Sequence, residues 1–328
     1  MSLPADRPRA AVVVNPAKVD IERFRAVVAS EEARSDWLPT SWFPTSAEDD
    51  GRAAVDAALA AEPDVVLVAG GDGTLREAAE KLRGTSVPLA LIPVGTANNF
   101  ARELRLPMND LTGAVSIAFV GADRSIDVGL AEVEREDGSL TRHTFLVMAG
   151  IGVDAQMAAN VSKPMKKRIG WLAYVDPIAR SVIGNKQFDL TYRLDDASER
   201  KTRAHTVIVG NSGYLPAGLL LLPDAVIDDG LLDAVILRPG RGPGWWVIGM
   251  RIAFNRMLRH TRFGRRITQV SPRLRSIRWA QASKLSIRLA EPQVMQFDGD
   301  AVGAVSAATI TVDYHGLVMR LPEQSARP

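Results

Sequence analysis

The sequence predicts an α/β domain with a parallel sheet, followed by a β-rich, sandwich-like domain. Two observations predict this order. Apolar runs of strand length alternate with segments of helical spacing over the first third of the chain, which is the pattern of βαβ units. After about residue 125, short apolar runs separated by turn residues dominate, which is typical of an antiparallel sandwich or barrel. A chain of 328 residues is long enough for two such domains.

The elements of the first third follow from local patterns. Residues 10–14 form an uninterrupted apolar run, and residues 20–30 place apolar side chains at helical spacing. The segment Thr45-Ser-Ala-Glu48 has the pattern of a capping box, so it predicts the start of an Ala-rich helix that ends near residue 61. Further strands are predicted at 37–43, 64–69 and 88–93, and a further helix at 75–82.

The second part contains five clear strand-like runs and two helical inserts. The runs combine β-branched and aliphatic residues with turn residues at their ends. They lie at 188–194, 206–209, 231–237, 284–289 and 309–312. The helical inserts are predicted at 166–183 and 245–263.

The composition excludes several classes of protein. The chain contains no Cys, which excludes disulfide frameworks, Cys-zinc sites and thiol catalysis. Its longest uncharged run, residues 204–223, is interrupted by Asn, Gly and Pro, so no segment has the roughly 20 apolar residues of a membrane span. We therefore expect a cytoplasmic protein, either free or peripheral at the inner face of the membrane.

Positive charge is concentrated in one stretch, although the net formal charge is only +2. Residues 234–290 contain no Asp or Glu and thirteen Lys and Arg, so the rest of the chain carries a net negative charge. Within the basic stretch 245–278, Trp, Phe and aliphatic residues alternate with Arg at near-helical spacing, which is typical of a helix that binds an anionic membrane. A core-packing helix with a solvated Arg face explains the pattern equally well. No nucleic-acid-binding signature occurs, so nucleic acid is not an expected partner.

The strongest chemical signal is the segment Gly70-Gly71-Asp72-Gly73-Thr74, between a predicted strand and a predicted helix. Glycines let a ligand approach the main chain, and a helix N-terminus presents free N–H groups. Together they predict a phosphate-binding loop, in which Mg²⁺ would lie between the Asp72 carboxylate and the phosphates. Taken alone, the segment is equally consistent with a Gly-rich turn that exposes an Asp.

A second segment with the same setting favours the phosphate-binding interpretation. Gly95, Thr96 and Asn98 follow the next predicted strand and precede a helix. The carboxyl ends of parallel strands meet at one edge of a sheet, where ligands bind. We expect Asn15, at the end of the first strand, to lie there too. Thr45 ends the second strand, where the capping box explains it equally well.

The two segments, residues 68–77 and 92–102, resemble the diacylglycerol kinase and sphingosine kinase superfamily, in the form of its stand-alone bacterial lipid kinases. The resemblance continues in the family's order over nearly the whole chain. Its further segments are residues 126–129, 150–155, 170–174, 209–211, 223–233 and 297–300. It implies an ATP-binding α/β domain over residues 1–125 with the returning segment 315–328, and a β-rich lipid-substrate domain over residues 126–314.

The resemblance also implies the activity and the site. The implied reaction is ATP- and Mg²⁺-dependent phosphorylation of a lipid hydroxyl, and Asp300 takes the position of the family's general base. Asp72 and Asp127 are implied for a catalytic Mg²⁺. The implied nucleotide-binding residues are Asn15, Thr45, Gly70, Gly71, Asp72, Gly73, Thr74, Glu77, Gly95, Thr96 and Asn98. The implied ligands of a structural Mg²⁺ are the carbonyls of Val226 and Leu231 and the carboxylate of Asp229.

Three positions depart from the family pattern. Asp300 stands where the family has Glu, and its shorter side chain needs a closer backbone or an intervening water to reach a hydroxyl. The triplet Asp298-Gly-Asp300 is also a hairpin-turn signal. Asn99 replaces an Asp of the family's acidic Mg²⁺ network, and Lys18 stands where the motif that begins at Asn15 continues with Ser-Gly.

The sequence therefore predicts a lipid kinase that acts on a diacylglycerol-like or sphingoid-like hydroxyl. NAD kinase is an alternative, because it shares Gly-Gly-Asp-Gly on a related fold, but the Asn-Glu motif that it requires is absent here. A nucleotide- or lipid-binding regulator that has lost catalysis is a second alternative, which Asn99 and Asp300 motivate. The expected partners are a lipid substrate and an anionic membrane surface, and a homodimer is compatible with the sequence.

Overall fold

The computed structural model describes residues 7–46, 51–94, 99–152, 187–215, 219–222, 224–238 and 277–323. The chain divides into two compact units. The first unit is Met1–Ile126 together with His315–Pro328, and the second unit is Asp127–Tyr314. The predicted helical inserts at 166–183 and 245–263 lie outside the described residues, as does nearly all of the basic stretch 245–278.

The first unit contains a parallel sheet whose strands lie close to the predicted apolar runs. They are β1 (Ala10–Val14), β2 (Ser41–Pro44), β3 (Val65–Ala69) and β4 (Leu89–Leu91). Their order is β2-β1-β3-β4, and all neighbours are parallel. Every residue of β1 and β3 is buried, as expected for central strands of a sheet covered on both faces.

In the described part of the first unit, five helices accompany this sheet. They are α1 (Ile21–Ser35), α2 (Arg52–Ala60), α3 (Asp72–Leu82), α4 (Asn99–Glu103) and α5 (Leu111–Val120). α1 begins after Asp20, whose carboxylate accepts the Arg23 N–H at 3.1 Å, and buries Phe24 and Val28 in the core of the unit. No helix in the described ranges is long and apolar enough to cross a membrane.

The start of α2 differs from the prediction. The helix begins at Arg52, after Gly51 with a φ of 94°, a backbone conformation that glycine adopts readily. Thr45 therefore does not cap this helix, and the capping-box interpretation is wrong. The hydroxyl oxygen of Thr45 is instead buried and has no hydrogen-bond partner among the described residues.

The second unit is built from antiparallel strands. They are β6 (Leu140–Phe145), β7 (Met148–Ile151), β8 (Phe188–Leu194), β9 (Arg200–Ala204), β10 (Thr206–Gly210), β11 (Tyr214–Leu215), β12 (Leu219–Leu220), β13 (Leu232–Leu237), β14 (Ile277–Ala282) and β15 (Lys284–Phe297). Two further strands contain the boundaries of the units: β5 (Ala122–Glu134) and β16 (Asp300–Leu321). The order of neighbouring strands is β14-β13-β10-β7-β15. β16 pairs with the opposite edge of β15.

The long strand β15 takes part in two pairings on one edge. Residues 285–289 pair with β8, whereas residues 295–297 pair with β7. An irregularity in the pairing with β16 lies between Arg288 and Gln293, and bulges of this kind bend a strand. The side chains enclosed by these strands, which include Phe145, Tyr192 and Phe297, form the core of the unit. The described strands thus agree with the predicted β-rich, sandwich-like domain.

Candidate functional site

The predicted phosphate-binding residues lie at one edge of the parallel sheet. Asn15, Thr45 and Gly70 follow the carboxyl ends of β1, β2 and β3, which are neighbours in the sheet. Main-chain hydrogen bonds join these ends, because the Asn15 N–H donates to the Ala69 carbonyl at 2.9 Å and the Thr45 N–H donates to the Val14 carbonyl at 2.8 Å. Open α/β sheets bind ligands outside this edge. The predicted residues that follow β4 lie outside the described part of the chain: Gly95, Thr96 and Asn98.

The Gly-Gly-Asp-Gly-Thr segment forms the start of α3. Gly71 is the N-cap, and the Leu75 N–H is the first to donate back, to the Gly71 carbonyl at 3.0 Å. Asp72, Gly73 and Thr74 therefore belong to the first helical turn, and not to a loop before a helix that begins at residue 75, as the sequence predicted. The first turn of a helix carries N–H groups without intrahelical acceptors and the positive end of the helix dipole, so this end of α3 favours an anion.

Two glycines allow two threonines to pack beside the start of α3. A Cβ at Gly70 would lie 2.7 Å from the Cβ and 2.9 Å from the Oγ1 of Thr74. A Cβ at Gly51 would lie 2.8 Å from the Cγ2 of Thr45 and 3.3 Å from the Cγ2 of Thr74. The two threonines are therefore close neighbours, and the buried Thr45 hydroxyl has no hydrogen-bond partner among the described residues.

Lys18 brings a positive charge to this edge, although in sequence it is visible only as a departure from the family pattern. It lies in the turn after β1, where its N–H donates to the Asn15 carbonyl at 3.0 Å and the Asn15 Oδ1 accepts the Ala17 N–H at 3.0 Å. This turn directs the ammonium against Gly71, because a side chain at residue 71 would collide with the Lys18 Nζ. No carboxylate in the described part of the chain forms an ion pair with Lys18. A Lys three residues after the Asn that ends a strand is the signal that could have revealed it.

Glu77 has a structural partner. The Arg52 Nη2 lies 2.8 Å from the Oε2 and 3.1 Å from the Oε1 of Glu77, so the pair connects α2 to α3. The hydrogen bond and the charge of Glu77 raise the pKa of the Arg52 guanidinium. The predicted contact between Glu77 and a nucleotide stays a prediction.

The Asp298-Gly-Asp300 triplet forms the tight hairpin between β15 and β16. Phe297 pairs with Asp300, and Asp298 and Gly299 have φ values of 52° and 102°. Positive φ at both central residues is the pattern of a two-residue type I′ turn. The hairpin prediction is confirmed, and Asp300 is exposed at the first position of β16.

Asp298 anchors this hairpin to the turn between β6 and β7. Its Oδ1 accepts the N–H groups of Val147 and Met148, and its Oδ2 accepts the N–H of Leu146, each at 2.9 Å. The Asp298 N–H donates to the Met148 carbonyl, also at 2.9 Å. This role could not be predicted from the sequence, because the three donors lie about 150 residues away in the chain. Asp298 therefore holds the backbone from which Asp300 projects.

Asp127 lies beside the turn for which a structural Mg²⁺ is predicted. It is fully buried, and its Oδ2 accepts the Gly230 N–H at 2.7 Å. The Asp229 Oδ1 accepts the Leu231 N–H at 3.0 Å. Burial raises the pKa of the Asp229 carboxyl, and the negative charges of Asp127 and Asp228 raise it further. Asp127 is thus grouped with Asp229 in the second unit, whereas Asp72 belongs to the first.

The oxygen donors of this turn suit Mg²⁺ in their chemistry. Mg²⁺ prefers carboxylate and carbonyl oxygens, and a cation would offset the repulsion between Asp127 and Asp229. Over the described ranges, however, no group of three or more His, Asp or Glu side chains is arranged to bind a metal. Both Mg²⁺ sites stay predictions, the structural one at Val226, Asp229 and Leu231 and the catalytic one at Asp72 and Asp127.

A further buried acid, Asp233, lies on β13 and is 5% exposed. Burial raises the pKa of Asp233 to about 6, against a hydrogen bond from the Gln281 Nε2 at 3.3 Å that lowers it. The folded state therefore holds this proton to a higher pH than the unfolded state does. The free energy of unfolding therefore decreases as the pH rises from the ordinary Asp pKa to about 6. Above a pH of about 6 the decrease is complete.

The chain matches two families along its length. Residues 9–131 match the family described as "Diacylglycerol kinase catalytic domain", and residues 147–317 match "YegS C-terminal NAD kinase beta sandwich-like domain". A "Probable lipid kinase YegS-like" of Pseudomonas aeruginosa (strain UCBPP-PA14) is 33% identical over 242 residues, which are 71% of this chain and 73% of that protein. A "Diacylglycerol kinase" of Mycobacterium tuberculosis (strain H37Rv) is 31% identical over 184 residues, which are 56% of this chain and 58% of that protein.

Solved structures share the fold. A diacylglycerol kinase from Bacillus anthracis str. Sterne superposes with a TM-score of 0.67 at 19% identity, over 97% of this chain and 98% of that chain. Yeast NADH kinase in complex with NADH superposes with a TM-score of 0.54 at 9% identity, over 98% of this chain and 84% of that chain. These two likenesses concern the fold alone. Together with the sequence matches they confirm the predicted fold class and the family resemblance: the chain belongs to the YegS-like lipid kinase family, with a diacylglycerol kinase catalytic domain followed by a YegS C-terminal domain.

Proposed function

We propose that the protein transfers the γ-phosphate of ATP to a hydroxyl group of a lipid. The observation that carries the proposal is the edge of the parallel sheet, where the start of α3, the Lys18 ammonium and the Thr45 hydroxyl follow neighbouring strands. Membership of a kinase family supports ATP as the phosphate donor. The names of the relatives support a lipid as the acceptor.

The donor half of the reaction belongs to the first unit. The phosphates of ATP would lie against the first turn of α3, where the N–H groups and the Lys18 ammonium offset their negative charge. The Thr45 hydroxyl would donate to a phosphate oxygen, which would give this buried group the partner that it lacks. When bound at Asp72, Mg²⁺ would supply further neutralisation of the triphosphate.

The acceptor half belongs to the second unit. The lipid oxygen attacks the γ-phosphorus in line, the bond from the γ-phosphorus to the bridging oxygen breaks, and ADP leaves. The proton of the hydroxyl passes to the Asp300 carboxylate, either directly or through one water. Asp298 contributes by holding the hairpin, so that the exposed Asp300 keeps a defined position.

The test is ADP release with Mg²⁺-ATP against diacylglycerol, sphingosine, ceramide and phosphatidylglycerol in mixed micelles, with NAD⁺ as a further acceptor. The informative variants are Asp72→Asn and Asp300→Asn. A matched control is Asp137→Asn, because Asp137 is an exposed acid in another turn of the second unit. We expect turnover with one lipid class, unchanged in the control. Loss of a general base lowers turnover by about 10²–10⁴-fold, so Asp300→Asn should show such a loss and still bind ATP.

Other outcomes would contradict the proposal in distinct ways. Turnover with NAD⁺ and not with lipids would establish the NAD kinase alternative. ATP binding without turnover on any acceptor would favour the regulator. Full activity of Asp300→Asn with a lipid would support the lipid kinase activity but contradict the role of Asp300 as general base.

A further inference from the structure

A groove of about 530 Å³ lies on the outer face of the second unit, where β8, β9 and β15 are neighbours. None of the residues assigned above to the nucleotide, the acceptor or Mg²⁺ lines it. Its polar lining consists of two hydroxyls and four charged side chains: Thr191, Thr202, Asp189, Lys201, Arg203 and Arg288.

Strand pairing places two of these cations in one row. Thr191 on β8 pairs with Lys201 on β9 and with Arg288 on β15. Directly paired residues point to the same face, so the three side chains share the outer face. Neighbouring strands lie about 4.8 Å apart, which puts the Lys201 and Arg288 backbones about 10 Å apart with Thr191 between them. Both cations are exposed.

The charge of this row is not neutralised locally. The adjacent pair on the same face, Asp189 and Arg203, forms its own ion pair at 3.3 Å. Across the described ranges no carboxylate forms an ion pair with Lys201 or Arg288. With one acid against three cations in the lining, the groove carries a net charge of 3 − 1 = +2.

We propose that this groove docks the protein on an anionic membrane, with lipid phosphate groups bound at Lys201 and Arg288. The spacing of the two cations matches lipid headgroups that lie side by side, and the guanidinium can bind a phosphate through two parallel hydrogen bonds. An anionic leaflet attracts Lys and Arg near its surface. The choice of a bilayer as partner rests on the proposed function, since a kinase that phosphorylates a lipid hydroxyl must bind the membrane that contains the lipid.

The test is partition of the full chain onto vesicles, measured by co-sedimentation without ATP. Vesicles of equal parts phosphatidylglycerol and phosphatidylcholine are compared with vesicles of phosphatidylcholine alone. The groove variant is Lys201→Ala with Arg288→Ala. Since each cation near an anionic surface favours binding by about fivefold, we expect this variant to partition about 30-fold more weakly. The matched control is Arg9→Ala with Arg23→Ala, which removes the same charge from exposed positions outside the groove and should partition like the unaltered protein.

Three results would overturn the proposal. The first is equal partition of the groove variant and the control, with both variants folded by circular dichroism. The second is partition that does not depend on phosphatidylglycerol. The third is groove-dependent binding of heparin without vesicle binding, which would assign the groove to a soluble polyanion. Turnover in mixed micelles is measured separately, so a failure here leaves the kinase proposal intact, and a failure of turnover does not change the partition.

Discussion

Replacing Asp298 should destabilise the second unit, whereas replacing Asp300, two residues later, should not. The Asp298 carboxylate accepts three main-chain N–H groups, each at 2.9 Å. Hydrogen bonds to a charged group contribute about 1.5–3 kcal/mol each, although water replaces part of this when the acceptor is removed. We therefore expect Asp298→Ala to lower the free energy of unfolding by about 3–5 kcal/mol, since three donors lose their acceptor together.

The variant Asp298→Asn refines this expectation. Asn tolerates the positive φ of this position as well as Asp does. Its amide oxygen can still accept the N–H groups of Val147 and Met148, which both bond to Oδ1, but its NH₂ group would face the Leu146 N–H donor to donor. One lost acceptor costs about 1–3 kcal/mol, so Asp298→Asn should lie between the unaltered protein and Asp298→Ala.

The assay is urea unfolding followed by circular dichroism and Trp fluorescence, in which a shift of the midpoint at constant slope reports stability. The control is Asp300→Ala, because Asp300 is exposed and a surface substitution usually changes stability by no more than about 0.5 kcal/mol. Equal stability of Asp298→Ala and Asp300→Ala would refute the reasoning, as would an Asp298→Asn variant no more stable than Asp298→Ala.

Three further predictions concern other sites. Lys18→Met should weaken ATP binding about 10–100-fold by calorimetry, because a charge-assisted contact is lost, and Lys18→Arg should retain most of it. Asp233→Asn should raise the free energy of unfolding at pH 7 by up to about 3 kcal/mol, and it should remove the decrease that occurs as the pH rises to about 6. If urea unfolding gives the variant the same pH profile as the unaltered protein, the pKa of Asp233 is not raised. Asp229→Asn should abolish any rise in melting temperature that Mg²⁺ produces, whereas Asp137→Asn should preserve it.

The strand positions could be predicted because burial leaves a strong local pattern. β1 and β3 are buried at every residue, and such strands appear in sequence as uninterrupted apolar runs. The run 188–194 likewise became β8 with the predicted bounds. α5 was not predicted, because it is apolar on most of its surface and shows no clear helical period. The start of α3 was predicted three residues late, since Gly and Asp are weak helix formers and their propensities do not indicate a helix start at Asp72.

In the candidate site, too, the features that depend on local sequence could be predicted, and those that depend on distant contacts could not. The common location of Asn15, Thr45 and Gly70 could be predicted, because the carboxyl ends of parallel strands share an edge whatever side chains they carry. The anchoring role of Asp298 could not be predicted, because nothing local to the turn indicates which N–H groups its carboxylate accepts. This role depends on the positive φ of the turn and on donors about 150 residues away in the chain. A short motif can therefore mark a pair of acidic residues, but only the register of distant strands shows that Asp298 is the one that anchors the hairpin.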